Sequence, residues 1–313
     1  MTATLPFVGG ALLRELVSSV QATQALRDAL LTGTDPASDV PRSALPVGAG
    51  QLLLMPSVGA RSVGVKVATV APGAPAHGLA RISAVYVLFD AEHLQPLAVL
   101  DGAALTTLRT PAVSAVAVAE LVRPGPHRLV VFGAGPQARG HVEALRPLVP
   151  LEHVTVVARD PSRTQAFVDD LVSGGLSATV GNASDVATAG LVVCATNART
   201  PVFESALLPE HACVVAVGSH EPDARELDGA LLRRAGVVVV EEVGAALREA
   251  GDVVRAVQER ALDPSGLVPL AQLVRSGPGN ASGPRVFKSV GMAWEDRIVA
   301  ERAHNALAMQ GRS

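Results

Sequence analysis

Aromatic side chains are scarce in this chain: one Trp, one Tyr and six Phe in 313 residues. Its core must therefore be built mainly from small aliphatic side chains. Cysteine is nearly absent too. Cys194 and Cys213 both sit inside apolar runs and read as buried free thiols, too few for a disulfide framework or a metal site. His77, His141 and His220 are not spaced as a metal set. Neither sign of charge dominates, with 26 Lys and Arg against 29 Asp and Glu, a net charge of -3 and pI near 6.2. That balance gives no reason to expect nucleic acid or an anionic membrane as a partner. No uninterrupted apolar run reaches the roughly 18 residues that span a bilayer. The opening MTATLPFVGG lacks a basic region followed by an apolar stretch, so no signal peptide is evident and a cytoplasmic protein is expected. There is no internal repeat and no low-complexity tract. What remains is an ordinary globular composition, 49% hydrophobic and 18% charged, long enough for two domains or one large one.

The stretch that organises the rest is Arg128 to Ala144, RLVVFGAGPQARGHVEA. An apolar run, Leu129 to Phe132, stops at Gly133-Ala134-Gly135, and a helical pattern follows with Ala138, Val142 and Leu145 on one side. A glycine triplet alone is often only a turn. Strand, glycine turn and helix in that order are the context of the dinucleotide fingerprint. Gly133 makes the tight turn, Gly135 lets backbone approach a pyrophosphate, and Ala138 packs helix on strand. The helix N-terminus offers free N–H donors to the phosphates.

Around this stretch the texture divides the chain. Residues 9–32 carry a helical period ending at Gly33. Leu45 to Leu100 holds short apolar runs (Gln51–Met55, Val63–Val70, Ala84–Phe89) between Pro and Gly clusters, a mostly antiparallel β region. Pro96 to Asp101 ends it, and a long helix is expected over Thr106 to Val122. Beyond Pro124-Gly125-Pro126, buried-type strands appear at Leu129–Phe132, Val154–Ala158, Leu191–Ala195, Val214–Val217 and Val237–Val240, with helices between, which indicates a parallel sheet covered on both faces. A Gly/Pro/Ser loop at 277–284, VFKSVG and a helix from about Met292 to Ala308 close the chain. The fold class is α/β: a Rossmann-type domain over 122–287, and a β-rich domain over 1–121 that the segment 288–313 rejoins.

Several polar residues stand out. In VTVVARDPSR (154–163), Arg159 follows the second strand where a ribose 2'-phosphate lies, and Ser162 and Arg163 add donors, which favours NADP(H) over NAD(H). The alternative is a solvated loop in which Arg159 pairs with Asp160. Thr196 and Gly218 follow two later strands, where the ligand crevice of an open α/β sheet lies, although turn residues are needed there anyway. Lys66, in GVKVATV, is either an edge residue pointing outward or an ammonium that binds a carboxylate or moves protons. Arg109 near the start of an apolar helix opposes the macrodipole, which an anion nearby would explain. Asp228, in GSHEPDARELD, is not distinguished by charge from Glu221, Asp223 or Glu226.

Together LLLMPS (52–57), VGVKVAT (63–69), PLAVLDGAALTTLRTPAVSAVA (96–117), VFGAGPQARGHVEAL (131–145), VGSHEPDARELD (217–228) and VFKSVGMAWED (286–296) resemble the ornithine cyclodeaminase/mu-crystallin family over nearly the whole length. The resemblance implies a homodimer whose N-terminal domain forms the dimer contact and carries much of the substrate site. It implies that Arg42, Lys66 and Arg109 bind a substrate α-carboxylate and that Asp228 is the acid/base group. Arg109, Thr110, Gly133, Gly135, Gln137, Ala138 and Ser289 are implied to touch the cofactor. Two departures matter. Cyclodeaminases carry a glutamate where Leu53 stands, so help with deprotonating a distal amine is missing. They also carry a small hydroxyl residue where Arg81 stands, which alters the side-chain end of the pocket or adds an anion contact. The implied activity is NAD(P)H-dependent reduction of a small carboxylate-bearing imine, either a cyclic ketimine such as pyrroline-2-carboxylate or piperideine-2-carboxylate, or the imine of a 2-oxo acid. The alternatives are ornithine or lysine cyclodeamination with bound NAD, and a mu-crystallin-like protein that uses NADPH to bind a small molecule.

Overall fold

The computed structural model describes residues 5–280 and 282–310. Residues 1–4, where the stretch read for targeting begins, and Ala281 of the 277–284 loop lie outside the described residues. In chain order, β1 (Phe7–Val8) leads to α1 (Gly10–Leu16) and α2 (Ser19–Leu31). Next come β2 (Ser43–Val47), β3 (Gly50–Val58), β4 (Ser62–Val70), β5 (Ile82–Asp90), β6 (Pro96–Asp101) and α3 (Gly102–Leu121). Then come β7 (His127–Phe132), α4 (Pro136–Leu145), β8 (Leu151–Val157), α5 (Pro161–Ser173), β9 (Ala178–Val180), β10 (Leu191–Cys194) and β11 (Cys213–Ala216). α6 (Gly229–Arg234), β12 (Val237–Val240), α7 (Val243–Glu249), α8 (Gly251–Gln258), β13 (Leu267–Pro269), α9 (Leu270–Ser276), β14 (Arg285–Lys288) and α10 (Ala293–Gln310) complete it.

The chain forms two compact units, Met1–Thr110 with Met292–Ser313, and Pro111–Gly291. The division falls inside α3 rather than at 121/122. Residues on its C-terminal half bond within the second unit: the Ser114 hydroxyl meets His141 of α4, and the Leu121 carbonyl accepts from Arg285. α3 is long and apolar enough to cross a membrane, yet most of it is buried in protein, with Ala112, Val113 and Ala115 through Val118 inaccessible. It is a core helix.

In the first unit, six strands run in the order β1-β6-β5-β4-β3-β2, antiparallel except for the β1–β6 pair. The helical period over 9–32 is two helices, because Ser18 caps α2 in a reciprocal capping box with Gln21 and breaks the run. Alternation gives the sheet two faces. One carries Leu53, Met55, Ser57, Lys66, Ala68, Tyr86, Leu88, Ala98 and Leu100, all buried, and α10 packs on this sheet. The other carries Val63, Val65, Val67, Val85 and Val87, partly or largely exposed.

In the second unit, eight parallel strands follow the order β13-β12-β14-β11-β10-β7-β8-β9. The order reverses between β7 and β10, which makes a crevice at their C-terminal ends. The sequence pattern did not separate β9 (ATV), β13 (LVP) and β14 (RVFK) from loop, because none is an unbroken apolar run like the equally short β10, β11 and β12. β14 enters between β11 and β12, and its Val286 and Phe287 are wholly buried.

Candidate functional site

The glycine turn lies at the β7/β10 crevice. Gly133 has φ +113, and a Cβ there would lie 2.5 Å from the Ala195 carbonyl, so the turn accepts no side chain. Gly135 is the N-cap of α4 with nothing within 4 Å of where a Cβ would stand. Open space in front of the first turn of a ten-residue helix fits a dinucleotide's phosphates. Ala138 is inaccessible, and a Cβ on Gly133 would stand 3.7 Å from its own. Gln137, in the first turn of α4, offers its carbonyl to His141.

The loops flanking this turn are pinned by buried carboxylates. Glu226 accepts from the Thr196 N–H (2.8 Å), the Thr196 hydroxyl (2.7 Å) and the Gly218 N–H (2.7 Å), which ties the ends of β10 and β11 together. A Cβ on Gly218 would fall 2.0 Å from the Thr196 carbonyl. Asp252 accepts the Glu226 and Leu227 N–H groups and pairs with Lys288 (3.0 Å), which itself donates to the Ser219 carbonyl. Glu241 accepts from the Ser289 hydroxyl and from the Val290 and Gly291 N–H groups. Thr196, Gly218 and Ser289 thus have fixed backbones. Arg159 donates to Asn197 (2.6 Å) rather than to Asp160, which caps α5 through the Ser162 and Arg163 N–H groups. Arg159, Ser162 and Arg163 are all exposed. Asp228 is the N-cap of α6: it accepts from the Leu231 N–H and from the Ser205 hydroxyl at 2.7 Å.

In the first unit the charged residues converge under α10. Lys66 sits on β4, an interior strand, and is 3% exposed, so it is no edge residue. Its Nζ lies 2.7 Å from Asp296 Oδ2 and 3.2 Å from the Thr106 hydroxyl. Arg109 is two turns into α3, which starts at Gly102, and is 4% exposed. The anion it calls for belongs to the chain itself: Glu295 Oε2 at 2.6 Å, with Asp296 Oδ1 3.4 Å from its Nε. Glu295 and Asp296 are inaccessible. Burial, offset by Asp296 and reinforced by Arg109, lowers the Lys66 pKa to about 8. Tyr86, paired with Lys66 across β4 and β5, is buried with no partner for its hydroxyl among the described residues, and burial with Asp296 nearby pushes its pKa well up. Gly64 makes room for it, since a Cβ there would lie 2.1 Å from that hydroxyl.

Arg42, half-buried, immediately precedes β2, whose Ser43 pairs with Leu54, the neighbour of the Met55 that pairs with Lys66. Thr110 is buried at the end of this unit. Arg81 is exposed just before β5, and Leu53 packs with Ala68 and Val70. Sequence reasoning missed Glu295 and Asp296, although WED lay in a quoted motif, because acids in a helix's first turn are ordinary dipole partners. Glu226, Glu241 and Asp252 were missed because only contacts across distant loops mark them.

The chain matches the ornithine cyclodeaminase/mu-crystallin family over residues 12–310. It belongs to that family. A Δ1-pyrroline-2-carboxylate reductase of Bacillus cereus is 35% identical over 281 residues, 86% of each chain. The structure of Thermococcus litoralis Δ1-pyrroline-2-carboxylate reductase in complex with NADH and L-proline matches with TM-score 0.91 and 28% identity, covering 98% of both chains. An archaeal alanine dehydrogenase dimer with bound NAD matches with TM-score 0.91 and 25% identity, covering 98% of this chain and 97% of that one.

Proposed function

We propose that the protein is an NAD(P)H-dependent oxidoreductase that reduces a small carboxylate-bearing imine to an amino acid. The substrate is a cyclic ketimine such as pyrroline-2-carboxylate, or the imine of a 2-oxo acid. The observation that carries this reading is the pair of buried cations, Lys66 and Arg109, on the inner side of the first unit's sheet. A reduced dinucleotide, its phosphates held at the N-terminus of α4, would supply the hydride. Lys66 and Arg109, with Arg42 just before β2, grip the carboxylate, since paired cations on a buried carboxylate make strong charge-assisted bonds. Lys66, with its pKa lowered to about 8, also holds a proton that it can release near neutral pH to the imine nitrogen. Asp228 is the second candidate for that proton, but its oxygens already serve α6 and Ser205. Leu53, in an apolar cluster, supplies no carboxylate for a distal amine, which favours reduction over cyclodeamination. Arg81 is the residue for side-chain selectivity.

Arg159 with Ser162 and Arg163 favours NADPH over NADH. The largely apolar outer face of the first unit's sheet, with Val85 44% exposed, favours a homodimer. Two buried thiols, Cys213 pushed up to about 12 by burial, suit the reducing cytoplasm. The test follows absorbance of reduced nicotinamide, offering both cofactors with pyrroline-2-carboxylate, piperideine-2-carboxylate, and pyruvate plus methylamine. Oxidation of NADPH with at least one imine is expected. No oxidation with any refutes the reading, and ammonia and proline from ornithine without added reductant would replace it by cyclodeamination.

A further inference from the structure

At the rim of the second unit's crevice, the loop after β10 is tied to a neighbouring loop on each side. Toward β11 the tie is the buried Glu226, which holds Thr196 and Gly218 together. Toward β8 it is a single bond, from Arg159 Nη2 to Asn197 Oδ1 at 2.6 Å. Arg159 and Asn197 are both exposed, where substitutions usually cost little stability, so this second tie calls for a reason other than holding the fold.

The strand before Arg159 fixes where it stands. The Gly133 N–H donates to the Val157 carbonyl at 2.8 Å, so the end of β8 lies against the glycine turn, with Arg159 two residues further on. The adenosine ribose of a dinucleotide comes to lie there when its phosphates sit on α4. A carboxylate at that point would take the ribose 2'-hydroxyl. The neighbouring acid, Asp160, is turned to α5 instead: its Oδ1 accepts from the Ser162 N–H (3.0 Å), the Ser162 hydroxyl (2.7 Å) and the Arg163 N–H (3.1 Å). Arg159 forms no ion pair among the described residues, so its charge is not cancelled. Asn197 is a firm anchor for it. The Thr196 N–H before Asn197 goes to Glu226, and the Ala198 N–H after it goes to the Thr196 hydroxyl at 3.1 Å. A short side chain on a fixed backbone thus steadies one corner of a long flexible one, and Nε and Nη1 remain to donate elsewhere. The anchor is a neutral amide oxygen, which fixes the guanidinium without neutralising it.

We propose that Asn197 is a specificity-determining positioning residue, which holds Arg159 at the ribose end of the crevice with its charge offered to a 2'-phosphate. The proposal rests on the reading of the Gly133 turn as the cofactor site and of Arg159 as the phosphate contact. Kd values for NADPH and NADH are measured on the full-length protein by fluorescence of the reduced nicotinamide, without imine and at one ionic strength, since exposed charges are screened. The ratio of the two affinities is the readout, because a general loosening weakens both cofactors alike. Arg159→Met should lower the preference for NADPH by about tenfold or more, the worth of a charge-assisted bond to phosphate. Asn197→Ala should lower it by about fivefold, in line with the cost of immobilising a long side chain on binding. Asn197→Asp, of the same shape but anionic, should lower it further than Asn197→Ala. With Arg159→Met already present, Asn197→Ala should change the ratio by less than about twofold, since it acts only through Arg159. An unchanged ratio in Asn197→Ala, or an equal fall once Arg159 is gone, overturns the proposal and leaves Arg159 as the phosphate contact. An unchanged ratio in Arg159→Met, or wild type that binds neither cofactor, refutes the reading beneath it and the proposal together.

Discussion

Asp296→Asn separates the charge of the buried cluster from its shape. Asp296 lies 2.7 Å from the Lys66 ammonium and 3.4 Å from Arg109 Nε, and all three side chains are almost fully enclosed. Asparagine keeps the volume and one oxygen but removes the charge. Losing one partner of a buried ion pair costs about 3–5 kcal/mol, and the thermal midpoint should fall accordingly. The sharper consequence is for titration. Burial drives the Lys66 pKa down, and Asp296 is the main group holding it as high as about 8. Without that charge the neutral amine is favoured at lower pH, since an opposite charge this close is worth about one pH unit or more.

If the ammonium grips the substrate carboxylate, wild-type kcat/KM declines above pH 8 by about tenfold per pH unit. In Asp296→Asn that alkaline limb should begin about one pH unit lower or more. Lys66→Arg, whose charge persists, should abolish the limb even if activity is reduced. The imine's own ionisation is common to all three proteins and cancels in the comparison. The assay is initial-rate oxidation of NADPH between pH 6 and 10, at limiting imine, on protein shown to be folded at each pH. An alkaline limb that starts at the same pH in Asp296→Asn and wild type refutes the assignment to Lys66.

Gly133→Ala must place a Cβ 2.5 Å from the Ala195 carbonyl at φ +113, a strain of about 1–3 kcal/mol, so NADH binding measured by cofactor fluorescence should weaken at least about tenfold; a Kd within twofold of wild type counts against the turn as the cofactor site. His141, fully buried and bonded to Ser114 and the Gln137 carbonyl, has its pKa lowered to about 4 by burial. Its unfolded form protonates first, so stability should fall by up to about 3 kcal/mol as pH drops from 6.5 to 4. Denaturant melts across that range should show less of this loss in His141→Gln. Asp228→Asn, which keeps the cap of α6, should lower kcat less than about tenfold; a loss of about 10²–10⁴ would return the proton donor's role to Asp228. If the proposed homodimer forms through the outer face of the first unit's sheet, light scattering should find a dimer in wild type and a monomer in Val85→Glu; a dimeric mass in both would move the contact elsewhere.

How far the sequence could be read depended on how local each signal was. The Gly133–Gly135 turn, β7 and α4 are adjacent in sequence, and the steric demand on Gly133 is met within one strand–turn–helix. Long antiparallel strands such as β3, β4 and β5 announced themselves by runs between turn residues. β9, β13 and β14 lack the unbroken apolar run that marked the equally short β10, β11 and β12, and β14 is placed by pairing between β11 and β12, which no local pattern encodes. Ser18 offered the break between α1 and α2 in plain view, but the apolar spacing ran across it. Lys66 illustrates the limit of composition. A lysine in an apolar strand suggests an edge, and only the contact with Asp296, 230 positions away, shows why it is buried.

The same contact bears on why more than two cations are needed. Lys66 and Arg109 carry two positive charges, and Glu295 and Asp296 cancel both. A substrate carboxylate brought to a neutral buried set would leave one uncompensated negative charge, which the interior penalises heavily. Something else must supply positive charge: a third cation, for which Arg42 just before β2 is the candidate if it exchanges its present contact for the substrate, or a proton taken up with the substrate. If Arg42 supplies it, Arg42→Met should raise the KM for the imine without moving the alkaline limb. If a proton supplies it, substrate affinity should depend on pH more steeply in Arg42→Met than in wild type.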